Sequence, residues 1–262
     1  MVSPIVEQQL PLCASWLQHL PPEEWSVYKG VISAARDRGI PFAVGGGLAT
    51  MTYTNQFRET KDIDFFILKC DKDRMIRVLT EAGLDDYYER EAYERHWIYR
   101  SCREDIIVDV IWAMANRRVD VDEGWLNGPE VRVDGQQFRL VPPEETLWNK
   151  LYVLQRDRCD WPDGLSLVYA LGPELDWRRL LDRLNEDSAL ASALLIVFGW
   201  LCPDRARELP SWLWEEVQRK TAATRPSEKA DGDRARLLDS RPWFTPTVEK
   251  QNEKRRGGKP RD

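Results

Sequence analysis

Within residues 42–68, two short apolar runs enclose a glycine triplet and a pair of alternating acids. Phe42-Ala43-Val44 reads as a strand end and leads into Gly45-Gly46-Gly47. Leu48 to Tyr53 reads as the start of a helix, and a polar loop carrying Arg58 and Thr60 follows. Asp62-Ile63-Asp64 then runs into Phe65-Phe66-Ile67-Leu68, whose unbroken apolar character predicts a second buried strand. Any fold for this chain must bury Ile63 and the run behind it while tolerating the two carboxylates beside them.

In a strand, residues two apart face the same side. Asp62 and Asp64 therefore aim at one spot while Ile63 faces the core. Two carboxylates held together repel and call for a cation, and hard oxygen ligands suit Mg²⁺, which binds through one or two carboxylates plus substrate phosphates. A glycine-rich turn ahead of a helix lets backbone N–H groups approach a phosphate with no Cβ in the way. Each feature has a plainer reading: a flexible turn, a solvated strand end, and an Arg58 paired to Glu59 or Asp62. The functional reading rests on their order between two apolar runs.

Gly46-Gly47-Leu48-Ala49 and Arg58-x-Thr60-x-Asp62-Ile63-Asp64 resemble the DNA polymerase β-like nucleotidyltransferase superfamily, and look closest to its AbiEii-like and related uncharacterised bacterial members. The Gly47-to-Asp62 interval is longer than in compact members, which suits that subgroup. The resemblance implies a third carboxylate on a later strand. Ile106-Ile107-Val108-Asp109-Val110-Ile111 offers one acid in an apolar run, where a lone ionised carboxylate is costly unless paired or metal-bound. Asp109 also matches the family's third position. The alternatives are a buried Asp109 paired to Arg100 or Arg103, and Asp105 at the turn as the third acid.

The resemblance extends to Pro142, Pro143, Leu147 and Lys150, then Arg156 or Arg158, then Asp160 and Asp163. By that resemblance Lys150 meets the triphosphate. A lysine in an otherwise apolar turn needs an anion; the other reading has it snorkel to solvent. Asp160 either orients Lys150 or an arginine, or caps the next helix.

Around this centre the periodicity predicts helices over Ile5–Leu20, Glu23–Arg38 and Asp71–Gly83, with Asp71 as an N-cap. His96–Tyr99 and Ile106–Trp112 read as paired strands joined by a turn at Ser101–Glu104, and residues 130–141 as a hairpin about Asp134-Gly135. Further helices are expected from Glu144, over Leu165–Leu171, Asp176–Leu184 and Ser188–Leu201, and over Pro210–Arg219. The expected fold is α+β: a small mixed β-sheet with flanking helices (residues 1–141), a C-terminal helical domain (142–219) and a mostly disordered tail (220–262).

Five cysteines without a Cys-x-x-Cys pair, and two histidines, argue against a disulfide scaffold, structural zinc or a histidine metal site. They point to a reducing cytoplasm, and no signal-peptide or membrane-spanning pattern is evident. From Lys220 onward there are twelve Lys and Arg against seven Asp and Glu, net +5, so the preceding body carries −11. An acidic body lacks the broad basic surface of a nucleic-acid binder. The tail holds an aromatic segment, Arg241–Pro246, suited to docking on the body or a protein partner, and a basic Lys254–Lys259.

The function implied by the resemblance is transfer of a nucleoside monophosphate from Mg-NTP to an acceptor hydroxyl, with pyrophosphate released. Asp62, Asp64 and Asp109 would hold two Mg²⁺ ions, and Gly46, Gly47, Arg58, Thr60 and Lys150 would serve the phosphates. Toxin members of the family, some with an antitoxin partner, modify tRNA or proteins, and resistance members modify drugs. The acceptor is left open among a tRNA end, a protein and a small molecule. A catalytically silent nucleotide-binding module of the same fold is the alternative.

Overall fold

The computed structural model describes residues 14–155, 158–223, 234, 237 and 238. The chain enters through a 3₁₀ turn at Ser15–His19 and the helix α1 (Pro22–Asp37). The helix expected over Ile5–Leu20 is therefore only this turn where it is described, and its earlier part lies outside the described residues. Pro22 sits in the first turn of α1, with Glu23 and Glu24 at the positive end of the helix dipole. Gly39, at φ +59, lets the chain reverse so that Ile40 N donates to Ala35 O at 3.0 Å.

The sheet is mixed and has seven strands among the described residues: β1 (Phe42–Val44), β2 (Asp62–Ile67), β3 (Asp85–Asp86), β4 (Ile98–Arg103), β5 (Ile106–Ile111), β6 (Glu130–Val133) and β7 (Gln136–Leu140). Their spatial order is β3-β4-β5-β2-β1-β7-β6. The two interior parallel pairings, β2 with β5 and β1 with β7, flank the antiparallel β1–β2 pair. Asp134 and Gly135 both take positive φ, as a tight two-residue hairpin between β6 and β7 requires.

The short helix α2 (Gly46–Thr54) follows β1 directly, and α3 (Lys72–Glu81) follows β2. Helices α1 and α3 pack on each other and against β5. The single-turn helix α4 (Glu123–Leu126) lies against β1 and β2. Phe66, on the same side of β2 as the two acids, stacks on Trp125 at 5.4 Å, and Trp125 meets Trp148 at 5.5 Å. Trp148 belongs to α5 (Pro143–Leu151), which packs with α2 and with α6 (Trp161–Leu171). The helices α7 (Trp177–Leu184), α8 (Ala189–Leu201), α9 (Pro203–Ala206) and α10 (Ser211–Ala223) complete the C-terminal part. No helix among the described residues is long and apolar enough to cross a membrane.

Two local expectations are corrected. Asp71 does not cap α3 with its side chain; its carboxylate instead pairs with Arg74 one turn on. The β4–β5 turn is not at Ser101–Glu104. Arg103 pairs with Ile106, so the reversal takes only Glu104, at φ +54, and Asp105. Cross-strand pairing of Ser101 and Cys102 with Val108 and Ile107 outweighs their polar look, and both are buried. Within residues 220–262, Leu237 and Leu238 lie against the core, and Asn116 Nδ2 donates to Leu237 O at 3.3 Å. Arg156, Arg241–Pro246 and Lys254–Lys259 lie outside the described residues.

Trp125 joins the sheet to α5 and is fully buried. Trp125→Ala should lower unfolding free energy by about 3–5 kcal/mol in denaturant titration. A change under about 1 kcal/mol would show that α4 is not part of the cooperative core.

Candidate active site

The site begins with strand register. In the parallel β2–β5 pair, Asp64 stands opposite Asp109, and Asp62 lies two residues earlier on the same side of β2. One carboxylate oxygen from each of Asp62, Asp64 and Asp109 lies within 4.8 Å of the other two. Ile63 points the other way and is fully buried. The sheet thus brings together the three acids that the sequence singled out, and Asp105 remains at the turn.

Helix α2 closes one side of the cluster. Gly45 N donates to Asp64 O at 2.9 Å. Gly46 takes φ +56, and a Cβ there would stand 1.6 Å from Asp64 Oδ2. A Cβ on Gly47 would come within 2.7 Å of Thr60 Oγ1. Both glycines are therefore demanded by the close approach of the helix start to the acids. Thr60 Oγ1 donates to Asp62 Oδ1 at 3.2 Å, so the Arg58–Thr60 loop steadies the first acid.

Asp64 and Asp109 resist ionisation. Burial raises the proton affinity of Asp64 well above the usual carboxylate range, and the charges of Asp62 and Asp109 raise it further. Asp109 is pushed up to about 6, chiefly by burial, although hydrogen bonds from Arg100 oppose that. Such an oxygen-only set, crowded and under-neutralised, fits a divalent cation.

Arg100 was weighed in the sequence only as one of two partners for Asp109, and the structure selects it. It stands directly across the β4–β5 pair from Asp109. Its Nε donates to Asp109 Oδ1 at 2.8 Å, and its Nη2 donates to Asp109 Oδ2 at 2.5 Å and to Asp62 Oδ2 at 3.4 Å. Arg103, at the end of β4, makes no such contact. With the turn at residues 104–105, counting back along the hairpin pairs 109 with 100; that is the signal in the sequence.

Lys150 does not snorkel. It is buried on α5, and its Nζ lies 2.9 Å from Asp160 Oδ2 and 2.7 Å from Asp163 Oδ2. Asp163 also pairs with Arg58, and Asp160 with Arg158 at 3.1 Å. Burial works to raise Asp160, but Arg158 and Lys150 hold it below its ordinary value. Asp163, unassigned from sequence, is thus the junction between the Arg58 loop and Lys150. The Lys150 charge also lowers the proton affinity of Asp64, which ties this cluster to the acids.

A family model described as uncharacterised nucleotidyltransferase matches residues 28–198, nearly two thirds of the chain. The chain belongs to that family. The matched span of this nucleotidyltransferase family member runs from α1 into α8 and contains the three acids, both glycines, Arg100 and Lys150. Among solved structures, the antibiotic-resistance factor ANT(2'')-Ia is 18% identical over 70% of this chain and 96% of its own, with a TM-score of 0.43. The lincosamide antibiotic adenylyltransferase LnuA is 17% identical over 56% of this chain and 96% of its own, with a TM-score of 0.42. An antigenic nucleotidyltransferase-like protein from Paracoccidioides brasiliensis is 20% identical over 67% and 94%, with a TM-score of 0.40. No curated protein matches the sequence.

Because the folded chain raises the pKa of Asp64, it holds that proton more tightly than the unfolded chain does. Stability is then lost as pH rises from the unfolded value through the folded one. Asp64→Asn removes the charge and keeps the shape. In EDTA at pH 7.5 it should melt above the wild type, by about 2–4 °C for each kcal/mol of strain relieved. The gap should close as pH falls toward the ordinary aspartate range. Calorimetry showing the variant less stable at every pH would count against like-charge crowding at this cluster.

Proposed function

We propose that the chain is a nucleotidyltransferase enzyme that moves a nucleoside monophosphate from Mg-NTP to an acceptor hydroxyl. The observation that carries this reading is the convergence of Asp62, Asp64 and Asp109 beside the glycine-bounded start of α2, in a chain of a nucleotidyltransferase family. The acceptor oxygen forms a bond to the α-phosphorus, the bond from that phosphorus to the bridging oxygen breaks, and pyrophosphate leaves. The proton of the acceptor hydroxyl passes to Asp109, whose raised pKa suits a base working near neutrality.

Asp62 and Asp64 would hold a metal on the triphosphate side, and Asp109 would join them on the acceptor side. Magnesium bound there in a pair would supply charge neutralisation at the phosphates and ease loss of the acceptor proton. Backbone N–H groups at Gly46 and Gly47 receive a phosphate at the start of α2, where the helix dipole favours negative charge. Thr60 fixes Asp62, and Arg58 ties that loop to Asp163. Lys150, paired with Asp160 and Asp163, adds positive potential behind Asp64.

The acceptor belongs to one of three classes: a tRNA end, a protein side chain or a small molecule. A toxin-like role fits the first two. The acidic body, at −11 before Lys220, favours the latter two. A second reading, nucleotide binding without turnover, draws on the Arg100 hydrogen bonds that occupy both oxygens of Asp109.

Incubation with each α-labelled NTP and a cell extract should place label in one of the three acceptor classes. Asp64→Asn should reduce transfer at least about a thousandfold while remaining folded. Full transfer by that variant would overturn the assignment. Mg-NTP binding with no pyrophosphate released on any acceptor pool would favour the silent reading.

A further inference from the structure

The Arg100 guanidinium places a full positive charge between two of the three acids. It grips Asp109 through both carboxylate oxygens and reaches Asp62 Oδ2 at 3.4 Å. Asp64 receives none of these hydrogen bonds. Asp109 is 1% exposed, whereas the Arg100 side chain is 32% exposed. The arginine can therefore withdraw toward solvent, but the acid cannot follow it. Tyr93 fixes the backbone at this point, since its hydroxyl accepts from Arg100 N at 3.0 Å. The Tyr87 ring lies 5.7 Å from the guanidinium carbon.

We propose that Arg100 occupies the seat of the second divalent cation, so that a second ion binds only by displacing its guanidinium from Asp109 and Asp62. The inference rests on the reading of the triad as a metal site and adds to it an order of filling. Three ionised carboxylates carry three negative charges. Arg100 cancels one, and a single divalent ion on the Asp62–Asp64 side cancels the rest. A second ion is in surplus until a triphosphate brings further negative charge. With Arg100 in place, Asp62 and Asp64 would hold the first ion, and a second would have to compete with the guanidinium for Asp109.

The test is Mn²⁺ titration of the nucleotide-free full chain, with free ion read by electron paramagnetic resonance. The wild type should bind one ion readily and a second at least about tenfold more weakly. Arg100→Gln should bind the second ion at least about tenfold more tightly than the wild type. Arg100→Lys should fall between them, because an ammonium cannot reproduce the two-pronged donation of a guanidinium. If the glutamine variant fails to fold, the lysine variant must still tighten the second site. Two equivalent sites in the wild type, or Mn²⁺ binding unchanged by both substitutions, would overturn the inference and leave the metal site intact. Absence of Mn²⁺ binding in the wild type would overturn both.

Discussion

Repulsion among three carboxylates is the constraint to which the rest of the molecule answers. Asp62, Asp64 and Asp109 sit within 4.8 Å of one another on the inner strands of the sheet. Asp109 is fully buried and the other two are half-buried, so water screens their mutual repulsion less than it would at an open surface. The chain spends fold stability to keep them so, a common price at sites built for ions or catalysis. What it places around them is partial compensation: a guanidinium across the hairpin, an ammonium behind, and a helix start in front.

The scaffold that tolerates this crowding is apolar and continuous. Beneath the acids, Phe66, Trp125 and Trp148 link the central strand to α5. The same helix carries Lys150 two residues further along. Rigid aromatic packing therefore fixes the distance between the acidic cluster and the cation that answers it. On the far side of α5, buried Glu145 is held by Arg179 and Arg183, with Arg179 Nε donating to it at 2.9 Å. That pairing anchors α7 to the helix that carries Lys150.

Legibility in the sequence followed the reach of each interaction. The Asp-x-Asp alternation, the glycines ahead of α2 and the lone acid of β5 were all readable, because strand periodicity and an apolar background are local signals. The turn after β4 was misplaced by its polar composition. Arg100, Ser101 and Cys102 look like loop residues in the sequence, yet they are strand residues paired with β5. That shift is why Arg100 and Arg103 stood level as partners for Asp109 in the sequence. An apolar turn around Lys150 called for an anion, but Asp163 as its shared partner with Arg58 depends on how α6 meets the loop before β2. Asp71 had the right residue type for a cap, and a nearby arginine took its carboxylate instead.

By itself the sequence determined which side chains face together along a strand, where glycine was required, and that a buried acid would need company. Those facts follow from backbone geometry and from the cost of burying charge. Tertiary structure decided who provides the company. The parallel register of β2 on β5 set Asp64 beside Asp109, and the two-residue turn set Arg100 across from it. A pairing register is fixed by turn length and by core packing over many residues. It therefore cannot be read at the residue whose partner it chooses.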